Sequence, residues 1–267
     1  MNETARTPIV APFRQKLDMV NDQLCFGAFY AFEASLQLRD QSVASFTTDA
    51  FPQNPYASRI HRRVSEMAEF EEIYLNQSAL IAMQAGVETV QAYFSAVRKH
   101  IAALHKLDMN SGDSADDEAL HEQIRSINCR TATELFETVV YLRRRRNHLI
   151  HQLPEPSSEM KKFWKTGGAQ RLDEFWVKRP AELFGFDFSN RTLDAFRIED
   201  GFAIMNLLRI CMLEIDRDVA KSLPRDALLE EIEKSVLSEK PHLKGDNNRL
   251  RKKVLCRLQR DYGIISS

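Results

Sequence analysis

Apolar residues recur at intervals of three and four along most of this chain, which is the period of an α-helix with one buried face. The first such segment covers about residues 12–41 and begins with Phe13, Leu17 and Leu24. Its second half is dense in aromatic residues: Phe26, Phe29, Tyr30 and Phe32. This density predicts that the second half of the helix is deeply buried.

The longest helical pattern runs from Tyr56 to Leu107 and contains no proline. Its single glycine, Gly86, leaves two versions open, namely one very long helix or two helices that meet near Gly86. A later helix is capped by Thr131 or Thr133 and ends near Gln152, ahead of Pro154. The same period predicts four more helices, over about 116–128, 198–222, 226–239 and 247–261.

Residues 157–196 do not keep a helical period and predict a partly irregular insertion with short helical pieces. The fold class expected from the whole pattern is all-α, an antiparallel helical bundle with a long central helix pair. We expect a single domain over 1–267, with a core at about 56–222, an N-terminal helix at 12–41 and a C-terminal helical extension at 225–262.

The composition agrees with helices and excludes some classes of protein. Nine glycines and nine prolines in 267 residues are about half the usual share, which argues against the many turns of a β-sandwich or barrel. Lys and Arg number 37 and Asp and Glu number 38, so the net charge is −1. This balance excludes a polybasic coat for nucleic acid, and any site for a polyanion must be a local patch.

The cysteines and the termini bear on where the protein acts. The four cysteines are far apart and form no C-x-x-C pair, which is typical of reduced thiols: Cys25, Cys129, Cys211 and Cys256. Neither an N-terminal signal peptide nor an apolar run long enough to span a membrane is present in the sequence. We therefore expect a cytoplasmic protein with no membrane partner.

Residues 143–151 concentrate four arginines and two histidines near the end of a predicted helix. No acidic residue interrupts the sequence between Leu142 and Pro154. Fixed positive charge beside groups that titrate near neutrality is what phosphodiester binding and proton transfer require. The alternative is a solvated basic helix end that complements the helix dipole.

The order of residues within this cluster resembles the R-x4-H motif of the HEPN superfamily (higher eukaryotes and prokaryotes nucleotide-binding). The matching residues are Arg146, the polar Asn147 directly after it, and His151, late on a helix of an all-helical chain. The resemblance implies a metal-independent endoribonuclease without a cofactor. It also implies a homodimer with a composite active site and a role as a toxin or phage-defence effector.

In this interpretation Arg146 stabilises charge on the phosphate, and His151 transfers protons. Asn147 orients the phosphate or the histidine. Residues five apart on a straight helix differ by about 140° in azimuth, whereas Arg144 and His151 share a face and satisfy the looser R-x6-H form of the motif. Three alternatives stay open: the Arg146 side chain reaches round, the helix loosens before Pro154, or Arg144 is the partner of His151.

Other residues of the cluster have supporting roles in this interpretation. His148 flanks the site, and Arg143 and Arg145 are candidate RNA-binding residues. The expected partners are RNA, a second copy of the chain and a cognate antitoxin, and no metal is expected. The alternative function is a non-catalytic HEPN-like helical module that binds nucleic acid or a partner protein.

Overall fold

The computed structural model describes residues 5–107, 116–151, 153–193 and 196–264, and these residues form helices without a β-strand. In chain order the α-helices are α1 (Val10–Arg39), α2 (Thr47–Ala50), α3 (Ala57–Ile60), α4 (Met67–His105), α5 (Asp116–Ser126), α6 (Thr133–Ile150), α7 (Ser158–Lys165), α8 (Gly168–Val177), α9 (Ile198–Ser222), α10 (Arg225–Glu239) and α11 (Asn247–Tyr262). The all-α fold class predicted from the sequence is confirmed.

The long helices agree with the bounds that the periodicity predicted to within two residues, with one larger difference. The helix expected from Tyr56 begins only at Met67, because His61 adopts a left-handed conformation with a φ of 40° and ends the short helix α3. Beyond Met67, α4 continues through Gly86 without a break. The version with one very long helix is therefore the observed one.

The chain forms two compact units, each built from separate stretches of sequence. Unit 1 comprises residues 1–17, 87–144 and 207–267, and unit 2 comprises residues 18–86 and 145–206. Each of the helices α1, α4, α6 and α9 contributes residues to both units. The expectation of a single domain over 1–267 stays a prediction.

Unit 1 has a core of aromatic and aliphatic side chains from α4, α5, α6 and α9. The rings of Phe94 and Phe136 lie 5.8 Å apart, and His121 stacks on Phe136 at 4.6 Å. Fully buried aliphatic residues of α9, such as Leu208 and Ile215, complete the core. This packing follows the three-and-four spacing read from the sequence.

A buried carboxylate holds the N-terminal segment of unit 1. Asp216 of α9 accepts hydrogen bonds from the Thr7 backbone N–H at 2.8 Å and from the Thr7 hydroxyl at 2.6 Å. The Tyr93 hydroxyl donates a third bond to the same carboxylate at 3.0 Å. Burial raises the pKa of Asp216 to about 6, although these hydrogen bonds act in the opposite direction.

The part of α1 in unit 2 contradicts the expected burial of its aromatic half. The buried hydrophobic residues of α1 fall seven apart: Val10, Leu17, Leu24 and Ala31. Phe26, Phe29, Tyr30 and Phe32 lie on other sides of the helix and are 56–64% exposed. The expectation was wrong because α1 covers its neighbours with one narrow line of side chains and leaves the aromatic residues in solvent.

Helices α1, α4 and α9 of unit 2 approach one another at small residues. A Cβ on Gly201 would lie 2.9 Å from the Ala79 Cβ and 3.1 Å from a methyl carbon of Leu24, so only glycine permits this approach. At Gly27, an added Cβ would lie 3.1 Å from the hydroxyl oxygen of Tyr74. These contacts are made by the buried sides of the helices, with the half-exposed Tyr74 at their edge.

The insertion at 157–196 is partly irregular, as predicted, and packs within unit 2. Ser157 caps α7 by accepting a hydrogen bond from the Met160 backbone N–H at 3.3 Å. The Trp164 indole N–H donates to the Phe188 carbonyl at 3.0 Å, and Trp176 of α8 is fully buried. The two tryptophans therefore hold the insertion to its own unit.

The structure gives two further findings of a general kind. All four cysteines are free, with Cys129 and Cys211 buried and Cys25 and Cys256 exposed. Within the described ranges, no helix combines the length and apolar character that crossing a membrane requires.

The carboxylate of Asp216 makes the stability of the protein depend on pH. Asp216 in the unfolded chain ionises near pH 4, whereas in the folded protein its pKa is about 6. Between these pH values Asp216 ionises in the unfolded chain but stays largely protonated in the folded protein. We expect the free energy of unfolding of the wild type, relative to Asp216→Asn, to fall by about 2 kcal/mol as pH rises from 4 to 7.

Urea unfolding of both proteins across this pH range measures the difference. Because the variant carries an uncharged asparagine of similar size, the titration of all other groups cancels when the two proteins are compared. A difference that stays constant with pH would show that Asp216 ionises normally in the folded protein.

Candidate functional site

Helix α6 carries every residue of the sequence-predicted site except His151, which follows it directly. Its first half buries Leu135, Phe136 and Val139. The His151 N–H donates to the Asn147 carbonyl at 3.1 Å, which continues the i to i−4 pattern through His151. The alternative in which the helix loosens to bring Arg146 and His151 together is therefore not observed in this segment.

The four consecutive arginines do not form one patch, because consecutive residues of a helix point about 100° apart. Arg143 donates from Nε to Asp117 at 2.9 Å and from Nη2 to Glu118 at 2.8 Å. The Asp117 side chain is fully buried, and the Arg143 side chain is 18% exposed. Arg143 is thus an ion-paired residue that joins α6 to α5.

Arg145 lies in the interior of unit 2 with an exposed fraction of 1%. Its guanidinium carbon is 4.3 Å from the centre of the Phe196 ring and 5.4 Å from that of Phe186. These are cation–π distances, and they stabilise a cation that has left water. The prediction that Arg145 binds RNA conflicts with this burial, so we exclude Arg145 from the candidate contacts.

Four polar residues of α6 and its end share one side of the helix, a set that we call the polar stripe: Arg144, Asn147, His148 and His151. Their spacing of three, four and seven residues confines them to about 100° of the helix circumference. His151 is exposed, and the other three are half-buried. Arg144 approaches one carboxylate, Glu118, with its Nη2 atom at 3.7 Å from Oε1.

The Cα of Arg146 lies on another side of the helix from the polar stripe, but its side chain extends to the edge of the stripe. Its Nη1 atom donates to the Asn147 side-chain oxygen at 2.8 Å. Asn147 therefore connects the two residues of the R-x4-H motif, since its side chain contacts Arg146 and its carbonyl accepts from the His151 N–H. Arg144 is the arginine on the same face as His151.

His148 has an unused polar atom in this arrangement. Its Nδ1 atom is buried and makes no hydrogen bond to any residue that the structure describes. A neutral imidazole nitrogen in this position can accept or donate one hydrogen bond, depending on its tautomer. His148 therefore offers a second imidazole on the same face as His151.

Sequence reasoning missed the partners that divide the arginine run. The acidic start of α5, Asp116–Glu118, precedes the basic end of α6 and was an available signal for the ion pair of Arg143. The rings of Phe186 and Phe196 around Arg145 come from the irregular insertion. Periodicity gave no signal for that contact, because neither phenylalanine belongs to a helix.

Comparison of the chain with models of protein families, with curated proteins and with solved structures found no match. The HEPN resemblance therefore depends on the residues of α6 and on the all-α fold.

Substitution of the two central arginines of the run should change stability by different amounts. Arg145→Met removes the cation from its aromatic surroundings and Arg145→Lys replaces a flat guanidinium by a compact ammonium, and we expect each to lower the free energy of unfolding, by about 1–3 kcal/mol. The more exposed Arg144→Ala should change it by less than about 0.5 kcal/mol.

Urea unfolding followed by circular dichroism tests this contrast. Equal effects at positions 144 and 145 would contradict the interior role of Arg145.

Proposed function

We propose that this protein is a metal-independent endoribonuclease that acts in the cytoplasm as a toxin or phage-defence effector. One observation carries the proposal: the polar stripe places an arginine, an asparagine and two histidines on one face of α6, with His151 exposed. The HEPN-like motif supplies the reaction type for these side chains.

The proposed reaction is attack of a ribose 2′-OH on the adjacent phosphate. A bond forms between the 2′ oxygen and phosphorus, and the bond between phosphorus and the 5′ oxygen breaks. A base takes the proton of the 2′-OH and an acid gives a proton to the departing 5′ oxygen. The products are a 2′,3′-cyclic phosphate and a 5′-OH, and His151 is the group that exchanges protons with the RNA.

Positive charge stabilises the phosphorane that develops during this step. Two arginines are candidates for this charge: Arg144 lies on the face of His151, and Arg146 reaches the edge of that face through its contact with Asn147. The Asn147 oxygen accepts from Arg146, which leaves the amide NH₂ group to orient the phosphate. Arg143 is already neutralised by two carboxylates and contributes mainly to the position of α6.

The proposed partners follow from the same chemistry. One histidine is not both acid and base in a single turnover, so a homodimer that brings two copies of His151 to one RNA gives a complete site. A cognate antitoxin that covers this face would control a toxic nuclease.

The second candidate is a non-catalytic HEPN-like module that binds nucleic acid or a partner protein. It is favoured by the intramolecular contacts of Arg143 and Arg145, which remove two of the four positive charges from the surface. In this case the polar stripe binds a phosphate and transfers no proton.

Cleavage of a labelled RNA in EDTA tests the proposed reaction. We expect wild-type protein to cleave in EDTA, and His151→Ala to reduce the rate by at least about 100-fold because proton transfer is lost. Arg144→Ala and Arg146→Ala separate the two registers, since the arginine that contacts the phosphorane should cost about 100-fold and the other much less.

His242→Ala is the matched control, because His242 is an exposed histidine outside the polar stripe. Its cleavage rate should equal that of the wild type. If the wild type and all the variants bind RNA but none of them cleaves it, the non-catalytic module is favoured. Cleavage that survives His151→Ala would contradict the assignment of His151.

A further inference from the structure

A second concentration of positive charge lies on α11 of unit 1, outside the residues that the proposed reaction uses. The 16 residues of this helix include six basic residues and one acidic residue. Helix α11 packs against α10, and its buried side carries Leu250, Val254 and Leu258. The apolar side of α11 is therefore already covered, and its opposite side faces solvent.

The exposed side of α11 is a row of mostly basic residues that we call the basic stripe. Its members are Arg249, Lys252, Lys253, Cys256 and Arg260, and all five are exposed. Because their positions differ by three, four, seven and eleven, they lie within about 100° of the helix circumference over a length of about 16 Å. Four of the five are positively charged and none is acidic. The stripe is thus a linear array of cations.

A cavity of about 200 Å³ adjoins the basic stripe where α11 meets the end of α10. We call it the basic pocket, and its charged lining residues are Glu239, Lys240, Lys253, Arg257 and Arg260. Lys253 and Arg260 belong to both the stripe and the pocket. One anionic chain that follows the stripe would therefore also reach the pocket.

The two arginines of the basic pocket have carboxylate partners. Arg257 lies 2.8 Å from Glu239, through Nη1 and Oε1, and Arg260 lies 2.6 Å from Asp261, through Nε and Oδ1. These two ion pairs cancel in charge, and they fix the positions of both guanidinium groups.

The lysines of this surface are not neutralised in the same way. Lys240, Lys252 and Lys253 form no ion pair with any residue that the structure describes. Like charges on neighbouring side chains repel, and an anion bound between them removes that repulsion. The basic stripe and the basic pocket therefore have positive charge available for an anionic ligand.

The dimensions of this surface indicate the kind of anion. A cavity of about 200 Å³ is below the range of about 300–1,000 Å³ that is usual for small-molecule sites, so it suits a group as small as a phosphate. Lysine and arginine are the residues that bind phosphate in proteins. The stripe is much longer than one phosphate, and its cations recur every 5–6 Å or so. This arrangement fits a chain of phosphates better than a single one.

Composition distinguishes a nucleic acid from other polyanions. Protein interfaces are depleted in lysine and depend on aromatic and apolar anchors, whereas interfaces with nucleic acid are strongly positive. The basic stripe contains two lysines and two arginines and no aromatic residue. A membrane-bound amphipathic helix inserts its apolar side, but in the described stretch 207–264 no large apolar side chain is exposed.

We infer that the basic stripe and the basic pocket bind the sugar–phosphate backbone of RNA. Contacts to phosphates carry no sequence information, and the stripe has no aromatic ring on which a base could stack, so binding is independent of sequence. The choice of RNA as the polymer rests on the proposed function. The site itself performs no chemistry and binds RNA through a different helix from the polar stripe.

The test is the affinity of the full-length protein for a fluorescent 2′-O-methyl oligouridine, measured by anisotropy over a range of salt concentrations. This RNA lacks the 2′-OH that the proposed reaction requires, so binding is separated from cleavage. Lys252→Gln with Lys253→Gln should reduce the slope of log affinity against log salt by about 1.4, and the affinity at about 0.1 M salt by about 25-fold, because each phosphate contact on a single strand contributes about 0.7 to the slope.

Lys221→Gln with Lys234→Gln is the matched control. It removes the same charge from two exposed lysines of unit 1 that lie outside the basic stripe and the basic pocket. The affinity and the salt slope of this variant should equal those of the wild type. Circular dichroism should show the same helix content in both variants, since all four substituted side chains are exposed.

Cys256 provides a second readout, because it is an exposed thiol within the basic stripe. Alkylation of Cys256 by N-ethylmaleimide, followed by mass spectrometry, should slow several-fold when the oligouridine saturates the protein. The exposed Cys25 of unit 2 is the internal reference, and its alkylation should not change.

An unchanged salt slope in the Lys252 and Lys253 variant, an equal loss in the control, or an unprotected Cys256 overturns the inference. So does competition by polyglutamate or by phosphatidylglycerol vesicles that is as effective per negative charge as competition by RNA. Cleavage of RNA by a protein whose binding is insensitive to Lys252 and Lys253 would overturn this inference alone. Lysine-dependent binding by a protein that cleaves no RNA would contradict only the proposed reaction.

Discussion

Two arginines hold α6, and the candidate site depends on them. Arg143 binds the carboxylates of α5 in unit 1, and Arg145 lies against the rings of Phe186 and Phe196 in unit 2. A guanidinium that leaves water must regain electrostatic stabilisation, so both contacts are costly to break. On the helix these residues point about 100° to either side of Arg144. Each contact therefore fixes the orientation of α6 within its own unit, and neither arginine takes part in the polar stripe.

Helix geometry also explains which parts of the candidate site could be predicted from the sequence. The predicted end of α6 near Gln152 agrees with its observed end at Ile150, and the azimuths of Arg144, Asn147 and His151 follow directly from that helix. The contacts of Arg143 and Arg145 could not be predicted from the helix, because they depend on residues that are distant in sequence. A run of like charges shows that positive charge is present, but the neighbours of the helix decide how much of it reaches the surface.

The helices themselves were predicted well because periodicity reports which residues repeat on one side. Helix α9 has the predicted bounds 198–222, and α4 is a single helix, which was one of the two versions left open at Gly86. Periodicity does not report what covers that side. The aromatic half of α1 was expected in a core and lies in solvent. A stripe of aromatic residues indicates only that burial is favourable, and the cover can come from another molecule.

The direction of the proposed reaction bears on whether one chain is sufficient for it. In an in-line displacement the attacking 2′ oxygen and the departing 5′ oxygen lie on opposite sides of phosphorus, so base and acid must approach from opposite directions. His148 and His151 project from the same face of one helix, with Cβ atoms about 5–6 Å apart. Both would reach a phosphate from one side. If α6 carries the reaction, this geometry favours a second histidine from a facing copy over the neighbouring His148.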